Sequence, residues 1–310
     1  MKPLISIITT FRNEELLIEE FLRRVQEALA KSDKYDYEIL FVDDDSSDAS
    51  FKILEQHAQH DARIKVLVTS RRFGVYPCLV AGLKHASGQA VIYIETDLQD
   101  PPELIPMMLE KWEEGADVVH TKRTKRLGEN KAKMLLTALA YKAINFASEI
   151  AIPENCGDYK LLSRRVVDHT LTLMEHDPYF RGIVSWVGFN QTFLFYERQP
   201  RYRGRSQRVL LSLAPLQVFT SAILSFSNKP LYAVALAGLL LPGAAFLVML
   251  YAMIRTPQAV ANDILLLLAI VMLCVVQISL GFHALYMIRT YAEIRKRPLY
   301  LIQRKLGFGD

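Results

Sequence analysis

Between Tyr93 and Pro102 the chain reads YIETDLQDPP: an apolar run stops at Glu95, and Asp97 and Asp100 follow before a double proline. Alternate residues of an extended segment point the same way, so Glu95, Asp97 and Gln99 can converge their oxygens on one point. That oxygen set suits a hard divalent cation such as Mg²⁺ or Mn²⁺, with its remaining positions left for phosphate oxygens and water. A solvated turn with Pro101 opening a helix explains the prolines but not Glu95, Thr96 and Asp97 at a strand end. A second acidic cluster, VDDDSSD, begins at Val42. Ser46 or Ser47 can cap a helix there, yet one cap explains only one or two of Asp43, Asp44, Asp45 and Asp48. No GxGxxG follows the first strand and no GxxxxGK[ST] occurs, so a nucleotide would be held by carboxylates and a metal.

The elements that must position these acids alternate. Apolar, β-rich runs recur as ISIITT (5–10), YEILFV (37–42), IKVLVT (64–69), AVIYIE (90–95) and DVVH (117–120). Between them NEELLIEEFLRRVQEALAK and SSDASFKILEQHAQH return apolar residues every three or four positions, which predicts helices. Strands alternating with helices imply an α/β fold with a largely parallel sheet covered on both faces, and such sheets take ligands at the carboxyl ends of their strands. Both acidic clusters fall there.

With 51% apolar and 23% charged residues, the chain is greasier than a soluble protein of its size, and the excess lies after residue 209. The segments 231–254 and 264–288 carry no charge apart from a protonatable His283. Each exceeds the roughly 20 apolar residues a helix needs to cross a bilayer. Arg198, Arg201, Arg203, Arg205 and Arg208 precede this region and Arg289, Arg295, Lys296, Arg297, Arg304 and Lys305 follow it, against Arg255 alone between the spans. The excess of positive charge outside the hairpin predicts that both flanks are cytoplasmic. Val209 to Phe226 is weakened as a span by Pro215, Gln217 and its hydroxyl residues, and reads as an interfacial helix.

The predicted organisation is a cytoplasmic domain (1–208), an interfacial amphipathic helix (209–229), a two-helix transmembrane hairpin (230–288) and a basic cytoplasmic tail (289–310). It describes a multi-pass protein of the inner or plasma membrane with both termini cytoplasmic. The amino terminus becomes charged within about ten residues, unlike a secretory signal. The net charge of +4 argues against a nucleic-acid partner. Cys78, Cys156 and Cys274 have no metal-ligand spacing and read as reduced structural residues. The 131–150 helix has an apolar stripe that could meet the membrane or a neighbouring subunit. Trp186 reads as core, and His57, His169 and His176 as surface or packing residues.

The motifs FRNEE, VDDDSSD, SRRFG, ETDLQDPPELI, GDYKLLSRRVVD, RGIVSWVGF and SFSNKPL, followed by two spans, resemble in content and order the family 2 glycosyltransferases that act on polyprenyl phosphates. Dolichyl-phosphate mannose synthases and the GtrB-type and ArnC-type bacterial enzymes are of this kind, and the resemblance covers essentially the whole chain. It implies a GT-A fold, a nucleotide-diphospho-sugar donor of the UDP-glucose kind, a Mg²⁺ or Mn²⁺ cofactor and a polyprenyl phosphate acceptor. It also allows a homo-oligomer, a tetramer as in related enzymes. By the same match Asp43 and Asp44 hold the base and ribose. Thr10, Asn13, Glu14, Ser46, Arg71 and Gly74 complete the nucleotide site. Glu95, Asp97 and Gln99 are the metal and diphosphate residues, Asp158 lies near the acceptor, and Arg123, Arg181 and Arg201 surround the phosphates. The sequence departs from the family at Glu95 and Lys160, where Asp and Arg are usual, and at Asp45, where Gly is. It departs again at Thr10 and Arg12, where Pro and Tyr are usual, and at the GFH of 281–283, where Gly-Glu-Tyr is. Asp tolerates the left-handed backbone that the Gly implies.

A polyprenyl phosphate is already largely dianionic near neutral pH, its second ionisation lying at about 6, so inverting transfer to it needs no strong general base. The charge problem is to bring two anions together and stabilise the leaving nucleotide, a task for a metal at Glu95 and Asp97 and for arginines. The stretch RQPRYRGRSQR reads as a membrane-surface loop that receives the lipid phosphate, with Asp158 as orienter or base. The alternatives are a GDP-mannose-dependent dolichyl-phosphate mannose synthase and a catalytically inactive scaffold binding lipid or nucleotide. A processive polysaccharide synthase would carry Q-x-x-R-W, which neither Trp112 nor Trp186 supplies.

Overall fold

The computed structural model describes residues 2–126, 131–148, 150–202, 214–255 and 258–308. Its strands are β1 (Leu4–Phe11), β2 (Asp36–Asp43), β3 (Ile64–Thr69), β4 (Ala90–Tyr93), β5 (Val118–Arg126), β6 (Cys156–Ser163), β7 (Gln191–Arg198) and β8 (Ile302–Leu306). They form one sheet in the order β7-β5-β6-β4-β1-β2-β3-β8. Pairing is parallel except where β6 runs antiparallel to β4 and β5, and β8 antiparallel to β3. The alternation of the strands divides the core. Ile5, Ile7, Ile39, Phe41, Val66 and Ile92 face one layer, and Ile8, Leu40, Val42, Leu67, Val91 and Tyr93 the other. The first layer is covered by α1 (Ile18–Leu29), α2 (Ser50–His60) and α4 (Ile105–Glu113), the second by α3 (Val75–His85), α6 (Arg164–Thr172) and α7 (Phe180–Val187). The expected α/β architecture with a largely parallel sheet, followed by two apolar helices, is the one observed.

Direction within the sheet decides where a site can form. The carboxyl ends of β1, β2, β3, β4, β5 and β7 lie along one edge, and the two antiparallel strands β6 and β8 begin at that edge. The periodicity argument found β1 to β5. It did not find β6, whose GDYKLL alternates polar with apolar, nor β7. Nor did it find β8, whose IQRKL reads as basic tail rather than strand.

The chain leaves β7 for α8 (Ala214–Phe226), then α9 (Lys229–Arg255) and α10 (Gln258–Arg295). Helix α8 packs Phe219, Ala222, Ile223 and Phe226 on Tyr141 and Ile144 of α5 (Lys131–Ala147), on Ile152 and on Tyr179. Tyr141 and Ile144 of α5 are therefore met by another helix of the same chain. Residues 209–213 of the expected interfacial helix lie outside the described residues. Lys229–Ala252 and Asn262–Arg295 are the two candidate membrane spans among the described residues, and neither buries its apolar window. Trp186, read from sequence as core, is 56% exposed on α7. The three cysteines are unpaired, as expected.

Candidate active site

The sequence-predicted site residues fall on the sheet edge just defined or on loops leaving it, except Arg181, which reaches Asp158 from α7. At the end of β2, Asp43 and Asp44 are buried, 1% and 7% exposed. Burial pushes the Asp43 carboxyl up to about 6, although it accepts the Ser46 amide at 2.9 Å. Asp44 accepts the backbone N–H of Phe73 at 2.6 Å and of Gly74 at 3.0 Å, so it fixes the loop after β3. Gly74 has φ 101°, a conformation that favours glycine, and precedes α3 directly. Thr69 donates its hydroxyl to the carbonyls of Asp43 and Arg71, and the Arg71 guanidinium lies 4.0 Å from the Phe73 ring centroid.

The helix-cap explanation for Ser46 or Ser47 does not hold. α2 starts at Ser50, and its preceding residue, Ala49, provides no side-chain cap. The two serines instead tie loops together. Ser46 accepts the Asn13 amide at 3.0 Å, and the Ser47 amide donates to Asn13 Oδ1 at 2.7 Å. Asn13 and Asp45 both adopt positive φ, 53° and 60°, as the sequence argument for Asp45 required. Thr10 shares a hydroxyl hydrogen bond with Tyr93 at 2.8 Å.

The acidic segment after β4 is a turn, not the extended strand assumed from sequence. Leu98 takes φ 57° and Asp97 Oδ1 accepts the Gln99 amide at 3.1 Å. A leucine in the left-handed region is rare, which is why periodicity misses the turn. Even so, Glu95, Asp97 and Gln99 are the half-buried positions while Ile94, Thr96, Leu98 and Asp100 are buried, so the three remain on the accessible side. Burial and Asp100 raise the Asp97 carboxyl above its usual range, against the pull of Arg198 and Arg201. Among the described residues no three Asp, Glu, His or Cys side chains assemble a metal site by themselves. Glu95 and Asp97 therefore offer two carboxylates, a donor set fitting an ion that completes its shell with diphosphate oxygens and water.

Arginines close over this turn. Arg201 donates to both Glu14 oxygens, at 2.6 and 2.5 Å, and lies 3.9 Å from Asp97. Burial holds Glu14 above the usual carboxylate range, opposed by Arg201. The loop placed by sequence at the lipid phosphate thus puts Arg201 beside Glu14 and Asp97. Arg203, Arg205 and Arg208 lie outside the described residues. Arg123 donates to Tyr196 at 2.9 Å and reaches Asp100 at 3.3 Å, while Arg198 approaches Asp100 at 3.6 Å. Tyr196 also donates to Asp100. A Cβ at Gly157 would stand 2.6 Å from the Arg123 guanidinium, so this glycine makes room for it. Asp100 and Tyr196 were not predicted, since nothing in the sequence pairs a turn acid with a tyrosine 96 residues away.

At the start of β6, Asp158 and Arg181 form a bidentate pair at 2.9 and 2.8 Å, and Arg181 also donates to Tyr141 at 3.0 Å. Burial would raise the Asp158 carboxyl, but Arg181 outweighs it and brings it down to about 2. Lys160, two residues on, is 1% exposed, 5.1 Å from the Phe180 ring centroid, and lowered to about 8 by burial despite Asp158. This part of the edge is a preorganised cationic wall with its one carboxylate already committed.

Residues 6–171 match the family model described as Glycosyl transferase family 2. The chain is 39% identical over 309 residues to the uncharacterized glycosyltransferase YkcC of Bacillus subtilis strain 168, covering 98% of this chain and 95% of that protein. It is 37% identical over 304 residues to the prophage bactoprenol glucosyl transferase homolog of Escherichia coli K12, covering 97% and 98%. A crystal structure of S. aureus TarS 1-349 in complex with UDP-GlcNAc is similar over 73% of this chain and 67% of that one, at 19% identity and TM-score 0.48. The family match over more than half of the chain, together with near full-length relatives, shows that this protein belongs to glycosyltransferase family 2.

Proposed function

We propose that the protein transfers a sugar, with inversion, from a nucleoside-diphosphate sugar of the UDP-glucose kind to a polyprenyl phosphate at the cytoplasmic membrane face. The observation that carries this reading is the meeting of the acidic turn, the Asp158–Arg181 pair and both connections to the candidate spans at one edge of one sheet. The bactoprenol glucosyl transferase name of near full-length relatives supports the choice of acceptor. For topology, β8 follows both candidate spans yet pairs with β3, which favours both flanks of the hairpin on the side of the catalytic domain. The domain limits proposed are 1–208 for that domain, 209–229 for the interfacial segment, 230–288 for the hairpin and 289–310 for the tail.

The acceptor phosphate, dianionic above about pH 6, attacks the anomeric carbon opposite the leaving group. The bond from that carbon to the donor diphosphate breaks, and the electron pair leaves with the nucleoside diphosphate. Asp158, held down to about 2, is too weak a base to take a proton at neutral pH. Its role is to orient Arg181 toward the incoming phosphate. Asp43 and Asp44 hold the base and ribose with the 69–74 loop, and Arg123 and Arg201 face the diphosphate. Glu95 and Asp97 would hold Mg²⁺ or Mn²⁺, which supplies Lewis-acid stabilisation of the leaving diphosphate. The test is transfer of labelled glucose from UDP-glucose to undecaprenyl phosphate with Mn²⁺ present. Asp97→Asn should abolish transfer while leaving circular dichroism unchanged, and undiminished turnover in that variant rejects the assignment.

A further inference from the structure

We infer that the segment after the second candidate span, residues 300–308, is a positioning element of the nucleotide site. β8 is hydrogen-bonded along β3 up to the residue from which the 69–74 loop departs. Thr69 pairs with Ile302, and the amide of Ser70, the first residue beyond β3, donates to the Leu301 carbonyl at 2.9 Å. The loop is thus held from two sides, by the Asp44 carboxylate on its Phe73 and Gly74 amides and by the Leu301 carbonyl at its root. This inference rests on the proposed reading that Arg71 and Gly74 in that loop contact the donor nucleotide.

The segment is built to hold this register. Val68 pairs with Arg304 and Thr69 with Ile302, so Gln303 is an extra residue that switches side chains between faces. As a result Ile302 and Leu306, of the same parity, pack on opposite core layers. Tyr300 and Phe308 join Ile302 on its layer, and the Phe308 ring meets His85 edge-on at 5.8 Å between centroids. Gly307 has φ 75°, and a Cβ there would stand 2.6 Å from the Ile64 carbonyl. The pairing with β3, the packing of Tyr300, Ile302, Leu306 and Phe308, and the close fit at Gly307 together hold the strand in a single register.

The experiment compares full-length protein in detergent micelles, a truncation after residue 299, and Gly307→Val. UDP and GDP binding with Mg²⁺ is measured by calorimetry, and KM for polyprenyl phosphate by transfer. Both variants should weaken nucleotide binding about tenfold, leave the acceptor KM within about twofold, and keep the far-ultraviolet circular dichroism of the parent. A peptide of residues 298–310 added to the truncation should restore nucleotide binding. Unchanged nucleotide affinity in the truncation, proportional losses for both substrates, or no recovery with the peptide overturns the inference and leaves the proposed function standing. Failure of the full-length chain to bind either nucleotide removes the proposed function, and the inference with it.

Discussion

Replacing Asp158 by Asn separates the orienting role from a basic one. Burial would raise the Asp158 carboxyl, but Arg181 outweighs it and brings the group from its ordinary 3.8 down to about 2. The sign is that of a lowered carboxylate: the contribution is complete above pH 3.8 and is lost as pH falls through about 2, so an assay at neutral pH sees all of it. Arg181, half-buried, would keep its hydrogen bond to Tyr141 once its partner is removed, and with only Asp158 buried the cost of breaking the pair falls at the low end for buried pairs, about 3 kcal/mol. For a domain of this size that lowers Tm by about 6–12 °C, read by differential scanning fluorimetry in micelles. The freed guanidinium should raise the acceptor KM about tenfold or more, with the donor KM within about twofold. In the parent enzyme the acid limb of the rate profile should lie near pH 6, where the acceptor phosphate protonates. A variant that melts with the parent, or loses donor affinity alone, refutes the reasoning.

Burial places Asp43 at about 6, so its ionised form, the better acceptor for a base N–H, is lost as pH falls through that value. Donor KM should therefore rise severalfold between pH 7 and pH 5, and Asp43→Asn should flatten the dependence at a higher KM. Lys160 at about 8 loses its charge as pH rises beyond that value. If its charge helps to hold the acceptor, acceptor KM climbs between pH 7.5 and 9 in the parent (about threefold or more) and stays level in Lys160→Arg, as steady-state kinetics over that range will show.

The parts of this molecule legible in sequence are those governed by a short period. Strands β1 to β4 and the first half of β5 are buried on both faces and read as largely apolar runs, and acids that follow two of them mark the functional edge. Asp45 was legible because the resemblance places a usual Gly there, which implies a left-handed backbone that Asp tolerates. The turn at Leu98 was not, since nothing in the side chain calls for a left-handed leucine; tertiary contacts around Asp100 impose it. Arg201 was seen as a basic residue near a phosphate, but its place beside Glu14 depends on how the chain returns from β7. β8 escaped because three of its five residues are polar or charged and it takes its pairing from β3.

The position of β8 also sets an order of assembly. Roughly 230 residues, both candidate spans among them, are synthesised between β3 and the strand that pairs with it. Until the hairpin has been made, β3 presents a bare row of amides and carbonyls, the feature by which sheets join wrongly to other chains. Final closure of the sheet thus waits on the helices that follow it, and a chain that stalls before the bilayer leaves that edge open to chaperones and to aggregation.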